Sequence, residues 1–222
     1  MRVLPDTMLS APRLFNAWDC VRIVEERGLP GAIVECGVWS GGSVGLMALA
    51  SAHYGDGTRP LHLFDSFEGL PQPSIHDEDV LPDFEREHGG MGLDDGDDPS
   101  VLQAIGACQG AQVDQVRELL EGRLRISPAS ITIWAGWFQE TVPEAAGAIG
   151  PIAVLRLDGD WYESTRVCLE GLYDNVIPGG YVIIDDYGTF SGCRQAVDEF
   201  FAARGESPAL VSIDADGSYL RK

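Results

Sequence analysis

The sequence predicts a single α/β domain in which a mostly parallel, seven-stranded β-sheet carries helices on both faces. Its 222 residues suit one globular domain with a large apolar core. Short apolar runs alternate along the chain with segments of helical periodicity, the order expected when a helix connects successive parallel strands. The apolar runs are continuous, which is typical of strands that are covered on both faces.

Five apolar runs are interpreted as the parallel strands, and three of them lead directly into an aspartate. Five further segments have apolar residues three or four positions apart, as one face of a helix requires. The predicted strands are 32–38, 61–64, 131–135, 152–157 and 181–184. The predicted helices are 14–27, 43–54, 113–124, 162–173 and 192–203.

The end of the chain is predicted to form an antiparallel hairpin from about 209 to 220. Its two apolar runs, 209–213 and 218–220, are separated by four residues that end in Asp216-Gly217. Asp-Gly is a common turn pair. A parallel crossover needs a much longer connection, so we expect these two strands to pair antiparallel.

We treat 1–222 as one domain with two additions, a helical lead at about 7–28 and an acidic stretch at about 72–100. From Asp77 to Asp98 there are ten acidic residues, opposed by Arg86 alone, with glycines and prolines between them. A long segment without periodicity inside a compact domain is either a functional lid or a solvated loop. Both interpretations stay open from the residues.

The charge of the chain excludes two classes of partner. Thirty-five acidic residues against 15 basic ones give a net charge of −20, which repels nucleic acid and anionic lipid surfaces. The sequence has neither an 18-residue apolar stretch nor a secretory signal at its start. Five cysteines without a C-x-x-C pair favour free thiols. We therefore expect a cytoplasmic protein, and a homo-oligomer is possible.

A glycine-rich turn follows the first predicted strand, where 35–43 reads Glu-Cys-Gly-Val-Trp-Ser-Gly-Gly-Ser. Ligands of open α/β sheets bind beyond the carboxyl ends of the strands, and a helix N-terminus there offers free N–H groups. Asp65, at the end of the second strand, can accept both hydroxyls of a ribose. The combination fits an adenosyl ligand, although tight helix–strand packing would explain the glycines almost as well.

Three more aspartates, Asp158, Asp185 and Asp186, follow the fourth and fifth predicted strands. If these strands are neighbours, their carboxylates converge and repel one another unless a cation neutralises them. Oxygen ligands suit Mg²⁺. The alternative is that the aspartates cap loops, with Asp160 capping the helix that follows.

Five stretches resemble the macrocin O-methyltransferase family of class I S-adenosylmethionine enzymes, and they run in order over about 7–200. The resemblance implies a Rossmann-like class I methyltransferase fold. It also implies S-adenosylmethionine as methyl donor, Mg²⁺ as cofactor and a sugar hydroxyl on a natural product as acceptor, as in antibiotic biosynthesis. The matching stretches are 34–43, Phe-Asp-Ser-Phe-Glu-Gly-Leu-Pro at 64–71, Gly-Trp-Phe at 136–138, Asp-Gly-Asp-Trp-Tyr-Glu-Ser-Thr at 158–165, and 178–187.

The same resemblance assigns site residues. It implies Asp158, Asp185 and Asp186 as metal ligands. The chain has a single lysine, Lys222, so a lysine base is not expected, and Asp158 or Asp160 is the expected general base. The residues expected to bind the cofactor are Glu35, Gly37, Gly41, Ser43, Asp65, Ser66, Gly136 and Trp137.

Two other functions fit parts of the sequence. A metal-dependent glycosyltransferase could use Asp158-Gly159-Asp160 as an Asp-x-Asp motif, but the glycine turn and the Asp185-Asp186 pair would then have no role. A non-catalytic S-adenosylmethionine-binding protein is the second alternative, and the intact set of aspartates argues against it.

Overall fold

The computed structural model describes residues 3–77, 102–105 and 108–222, and its seven strands form one sheet. The strands are β1 (Ala32–Cys36), β2 (Leu61–Asp65), β3 (Ile131–Ala135), β4 (Ile152–Leu157), β5 (Val176–Ile184), β6 (Val211–Ser212) and β7 (Ser218–Arg221). Their order across the sheet is β3-β2-β1-β4-β5-β7-β6. The pairings from β3 to β5 are parallel, and β7 is antiparallel to both of its neighbours. The predicted parallel sheet and its antiparallel C-terminal hairpin are confirmed.

Six α-helices of the described residues cover both faces of this sheet. They are α1 (Ala11–Glu26), α2 (Gly42–Tyr54), α3 (Val113–Arg117), α4 (Phe138–Ile149), α5 (Tyr162–Leu172) and α6 (Ser191–Ala203). Side chains from α1, α2 and α3 belong to the apolar core on one face, and side chains from α4, α5 and α6 belong to the core on the other. Among the residues described, no helix combines the length and apolarity that crossing a membrane requires.

Three of the differences between the predicted and the observed elements concern β5, α4 and the predicted helix 113–124. Strand β5 begins at Val176, whereas the predicted strand begins at Tyr181. The segment 178–180 also belongs to the strand, although the pairing with β4 is irregular there. Helix α4 is absent from the predicted elements, and it contains Pro143, which lacks the N–H that a helix interior uses. The predicted helix 113–124 is α-helical only to Arg117 and continues as a π-helix over Glu118–Arg123.

Of the predicted acidic stretch, only 72–77 lies within the described residues. Asp77, the first of the ten acidic residues, is fully buried rather than solvated. Its carboxylate accepts the backbone N–H of Tyr162 at 2.9 Å and so caps the start of α5. In the alternative interpretation of the sequence, Asp160 has this capping role.

A nearly buried ion pair joins the end of α1 to the loop before β2. Arg59 donates to both carboxylate oxygens of Glu25, at 2.6 and 2.8 Å, and the two side chains are 9% and 11% exposed. The hydroxyl of Ser51 donates to the same carboxylate at 2.6 Å. Burial by itself raises the pKa of Glu25. The hydrogen bonds lower the pKa by more than burial raises it, so the pKa of Glu25 lies below the usual 4.5.

We expect Glu25→Gln to destabilise the fold by about 1–3 kcal/mol at pH 7, the range for hydrogen bonds to a charged group. Because the folded pKa is depressed, the stabilisation is complete above the unfolded pKa of about 4.3 and is lost as the pH falls through the folded value. Urea unfolding of both proteins between pH 7 and pH 3 measures this difference. A difference that stays constant over the whole pH range would contradict the role of the ionised pair.

Candidate active site

A pocket of about 700 Å³, partly open to solvent, lies at the carboxyl edge of the parallel strands. We call it the glycine-turn pocket. Of the residues predicted to form the site, six line this pocket: Gly37, Asp65, Ser66, Trp137, Asp158 and Asp160.

A second cavity of about 570 Å³, which we call the carboxylate pocket, lies beside the first. Its walls include Arg13, Ser43, Asp185 and Asp186. Four side chains line both pockets, namely Met8, Trp39, Asp158 and Asp160. Two ligands bound side by side would therefore meet at these four shared side chains, which we call the junction.

Gly37, directly after β1, is required by close packing as well as by its backbone angle. Its φ of +87° lies in the left-handed region that favours glycine. A Cβ at this position would overlap the carbonyl oxygen of Asp158. The close approach of these two backbones brings the ends of β1 and β4 together at the floor of the glycine-turn pocket. Gly41, with a φ of +85°, precedes α2 and packs against Val116, outside the pocket lining.

We expect Gly37→Ala to destabilise the fold by about 2–5 kcal/mol, the sum of left-handed backbone strain and overpacking. Gly147→Ala is the matched control, because Gly147 is exposed in α4 and nothing lies within 4 Å of an added Cβ. It should be neutral or stabilise by up to about 1 kcal/mol. Chemical denaturation compares the two variants, and equal stabilities would contradict the packing argument.

Asp65 organises the loop that the sequence assigns to the cofactor. One carboxylate oxygen accepts the backbone N–H groups of Val38 and Trp39 at 2.7 and 3.0 Å, and the other accepts the N–H of Phe67 at 2.7 Å. Trp39 has a φ of +48°, an uncommon value for a bulky residue, and is held there by these bonds. The backbone N–H of Gly136 donates to the Asp65 carbonyl at 2.9 Å, which places the Trp137 turn beside it. Asp65 thus joins the ends of β1, β2 and β3.

Glu35 does not reach either pocket. It is fully buried in β1 and accepts a hydrogen bond from Arg156 at 2.9 Å. Burial raises the pKa of Glu35 to about 7, against the opposing effect of Arg156. Ser43, in the first turn of α2, is also buried and lies beneath the carboxylate pocket. Glu35 therefore lies inside the sheet behind the site and does not line either pocket.

Arg156 is a residue of the site that the sequence reasoning missed. Its side chain on β4 is 1% exposed. Besides Glu35, it contacts Asp158 at 2.9 Å and Asp185 at 2.7 Å. The available signal was an arginine inside the apolar run 152–157, since a buried charge needs a partner. The Arg156 guanidinium is therefore shared by three carboxylates, those of Glu35, Asp158 and Asp185.

The carboxylates that converge most closely are those of Asp158, Asp160 and Asp186. One oxygen from each lies within 4.8 Å of the others. Asp185, predicted to belong to this group, is not brought into it. Its oxygens face Arg156 and Arg13, the latter at 2.5 Å.

This group of three has an excess of negative charge. Burial raises the pKa of Asp160 and of Asp186 well above the usual value, and the neighbouring carboxylates raise both further. Burial also raises the pKa of Asp158, to about 6, although Arg156 acts in the opposite direction. Such a group can bind a cation or accept a proton, because either event relieves the repulsion.

The chain is similar to known O-methyltransferases in sequence and in fold. The model of the macrocin-O-methyltransferase (TylF) family matches residues 3–222. A tetracenomycin-C rhamnosyl 4'-O-methyltransferase from Streptomyces olivaceus is 36% identical over 97% of this chain and 75% of its own. Demethyldecarbamoylnovobiocin O-methyltransferase from Streptomyces niveus is also 36% identical, with the same coverage. Among solved structures, the O-methyltransferase NovP is 32% identical with a TM-score of 0.81, over 98% of this chain and 82% of that one.

Proposed function

The chain belongs to the macrocin O-methyltransferase family, and on that premise we propose that it methylates a sugar hydroxyl of a glycosylated natural product, with S-adenosylmethionine as donor and Mg²⁺ as cofactor. The observation that carries the proposal is the junction, where a small-molecule pocket meets a carboxylate-lined pocket. The name of one relative supports the acceptor class, because it describes O-methylation of a rhamnosyl-tetracenomycin.

We assign S-adenosylmethionine to the glycine-turn pocket. Asp65 holds the backbone of 38–39 in place and lines the pocket, while Ser66 and Trp137 form other parts of the wall. The junction carboxylates of Asp158 and Asp160 would attract the positively charged sulfonium. Trp39, also at the junction, offers an aromatic face for the same charge.

The residues present fit a divalent cation in the carboxylate pocket. Asp158 and Asp186 would hold it, with Asp160 in the same group, since their oxygens already lie within 4.8 Å of one another. Three oxygen donors are a set that suits Mg²⁺. When bound, the cation would orient the acceptor oxygen and lower the pKa of the hydroxyl.

We assign to Asp160 the role of the base that removes the proton of the acceptor hydroxyl. Asp160 lines both pockets, so its carboxylate lies where the donor and the acceptor would meet, and a carboxylate there can take up the proton. S-adenosylmethionine, when bound, would supply the methyl group, whose bond to sulfur would break as the hydroxyl oxygen bonds to the methyl carbon. Asp160 would take the hydroxyl proton on a carboxylate oxygen, and the glycine-turn pocket would hold the neutral thioether product.

The charge of the carboxylate pocket argues against a nucleotide sugar, the substrate of the glycosyltransferase alternative. Among the described residues that line this pocket, Arg13 is the one cationic side chain. Its three guanidinium nitrogens are already paired with aspartates. A diphosphate would therefore find no free guanidinium or ammonium partner in this part of the structure and would depend on the metal ion alone.

The test is a methyl-transfer assay that measures S-adenosylhomocysteine with a panel of glycosylated acceptors, demethyldecarbamoylnovobiocin among them. Product formation that requires the acceptor, with the added mass of one methyl group on its sugar, is the expected result. Asp160→Asn should lower turnover by about a hundredfold or more, the range for general base catalysis. Binding of S-adenosylmethionine without turnover of any acceptor would favour the non-catalytic alternative.

Asp65→Ala should weaken the binding of S-adenosylmethionine by about 1–3 kcal/mol, the scale of hydrogen bonds to a charged group. The loss has two sources, since the carboxylate faces the pocket and also holds the turn that forms its wall. Calorimetric titration measures it. Asp56→Asn is the control, because Asp56 bonds only to its own exposed turn at Thr58 in the described structure. Equal affinities of the two variants would remove Asp65 from the cofactor site.

A further inference from the structure

Asp160 is the central residue of a strained three-residue turn shortly after β4. The backbone N–H of Trp161 donates to the carbonyl of Gly159 at 2.6 Å, and Asp160 between them has a φ of +56°. A three-residue turn with a positive central φ is rare, because the left-handed region brings Cβ close to the backbone. Such strain persists only where the surrounding structure holds the residue in place. The turn therefore needs a support outside itself.

The side chain of Trp161, directly after the strained residue, is a rigid contact of this kind. Trp161 is 1% exposed and packs edge to face against Phe190, with the ring centroids 5.4 Å apart. Its indole N–H donates to the carbonyl of Pro71 at 3.0 Å. Pro71 lines the glycine-turn pocket. One buried side chain therefore joins the turn of Asp160 to the wall of that pocket.

The segment 71–77 holds the backbone after Asp160 at a second point. The backbone N–H of Tyr162 donates to Oδ1 of Asp77 at 2.9 Å. Oδ2 of Asp77 accepts the backbone N–H and the hydroxyl of Ser74, at 2.8 and 2.6 Å, so this carboxylate is also fixed from its own side. The two residues that follow Asp160 thus each donate one hydrogen bond to the same segment.

We propose that Trp161 is a positioning residue, which holds Asp160 in the strained turn by fixing the backbone directly after it. This inference rests on the proposed function, which makes Asp160 the base. The backbone angles set the direction of a side chain, so a relaxed φ would turn the carboxylate away from the junction. A displacement of about 1 Å can lower a rate by about a hundredfold.

The first experiment measures the strain at position 160 in the full-length protein without any ligand. Asp160→Ala keeps the left-handed strain and Asp160→Gly removes it, so the unfolding equilibrium constant of Asp160→Ala should be at least about threefold larger. We call this quotient the strain ratio. When both variants also carry Trp161→Phe, which removes the indole N–H, the strain ratio should fall towards one. Urea denaturation of the four proteins measures it, and an equal strain ratio with and without Trp161→Phe would overturn the inference.

The second experiment compares kcat at saturating donor and acceptor. Trp161→Phe should lower kcat about tenfold. It should lower kcat much less in a protein that already carries Asp160→Asn, because residues that act through one another are not additive. Trp134→Phe is the matched control, since the Trp134 indole also donates a hydrogen bond, to His62 at 3.3 Å, but lies outside both pockets. It should leave kcat unchanged.

Three outcomes of the kinetic experiment would overturn the inference. A purely structural role of Trp161 would lower stability or donor affinity and leave kcat at saturation unchanged. An equal fall in kcat with and without Asp160→Asn would show that Trp161 acts independently of the base. Both results would leave the proposed function intact. Full turnover by Asp160→Asn alone would instead remove the base from the proposed function, and the inference with it.

Discussion

Chelation of divalent cations with EDTA is expected to lower methyl transfer by at least about a hundredfold. The reason is that the cation would orient the acceptor oxygen and lower the pKa of its hydroxyl. The affinity for S-adenosylmethionine should change little, because Asp65 and Trp137 lie in the glycine-turn pocket and outside the carboxylate pocket. Turnover with an accepted glycoside and calorimetric titration of the donor, both with and without EDTA, separate the two effects.

Two neighbouring substitutions show which carboxylates hold the cation. Asp186→Asn should weaken Mn²⁺ binding by about tenfold or more, because it removes one of the three converging carboxylates. Asp185→Asn should have a smaller effect, since both Asp185 oxygens face arginines. A larger loss in Asp185→Asn would restore the ligand set that the family resemblance implies. Full activity in EDTA would contradict the cation altogether.

Replacement of Arg156 by methionine is expected to destabilise the fold by about 3–5 kcal/mol, the cost of removing one partner from a buried ion pair. The guanidinium is 1% exposed and contacts Glu35, Asp158 and Asp185, so its loss would leave three carboxylates without their shared partner. The free energy of unfolding from urea denaturation at pH 7 measures the effect.

The control for this prediction is Arg166→Met on α5, whose pairs with Glu163 and Glu170 are exposed. Exposed pairs contribute at most about 1 kcal/mol. A second variant, Arg156→Met combined with Glu35→Gln, should recover part of the stability, because it removes one of the unpaired charges. Equal stabilities of Arg156→Met and Arg166→Met would contradict the role of Arg156 as the shared partner.

Local patterns are sufficient for most of the fold. Continuous apolar runs predict the parallel strands, and the four-residue link before Ser218 predicts the antiparallel end of the sheet. The patterns fail where local signals conflict with tertiary packing. Pro143 hides the periodicity of α4, and the segment 178–180, a proline and two glycines, continues β5 without the apolar side chains of a strand.

The sequence by itself determined which chemical groups stand at the carboxyl ends of the strands. A strand that ends at Asp65 or Asp158 delivers its carboxylate to the same edge of the sheet as its parallel neighbours, whatever the details of packing. For that reason the order of residues along the chain is enough to predict that Asp65 and Asp158 lie at one edge of the sheet, and both line the glycine-turn pocket.

Only the tertiary structure decided which of these groups face a ligand and which face each other. Glu35 lies near the carboxyl end of β1, as Asp65 lies at the carboxyl end of β2, yet Glu35 is buried against Arg156. Asp185 pairs with Arg13, which lies 172 positions away in the chain, whereas Asp186 belongs to the group of converging carboxylates. Charge pairing acts through space over a few ångströms, and such distances between remote residues exist only after the chain has folded.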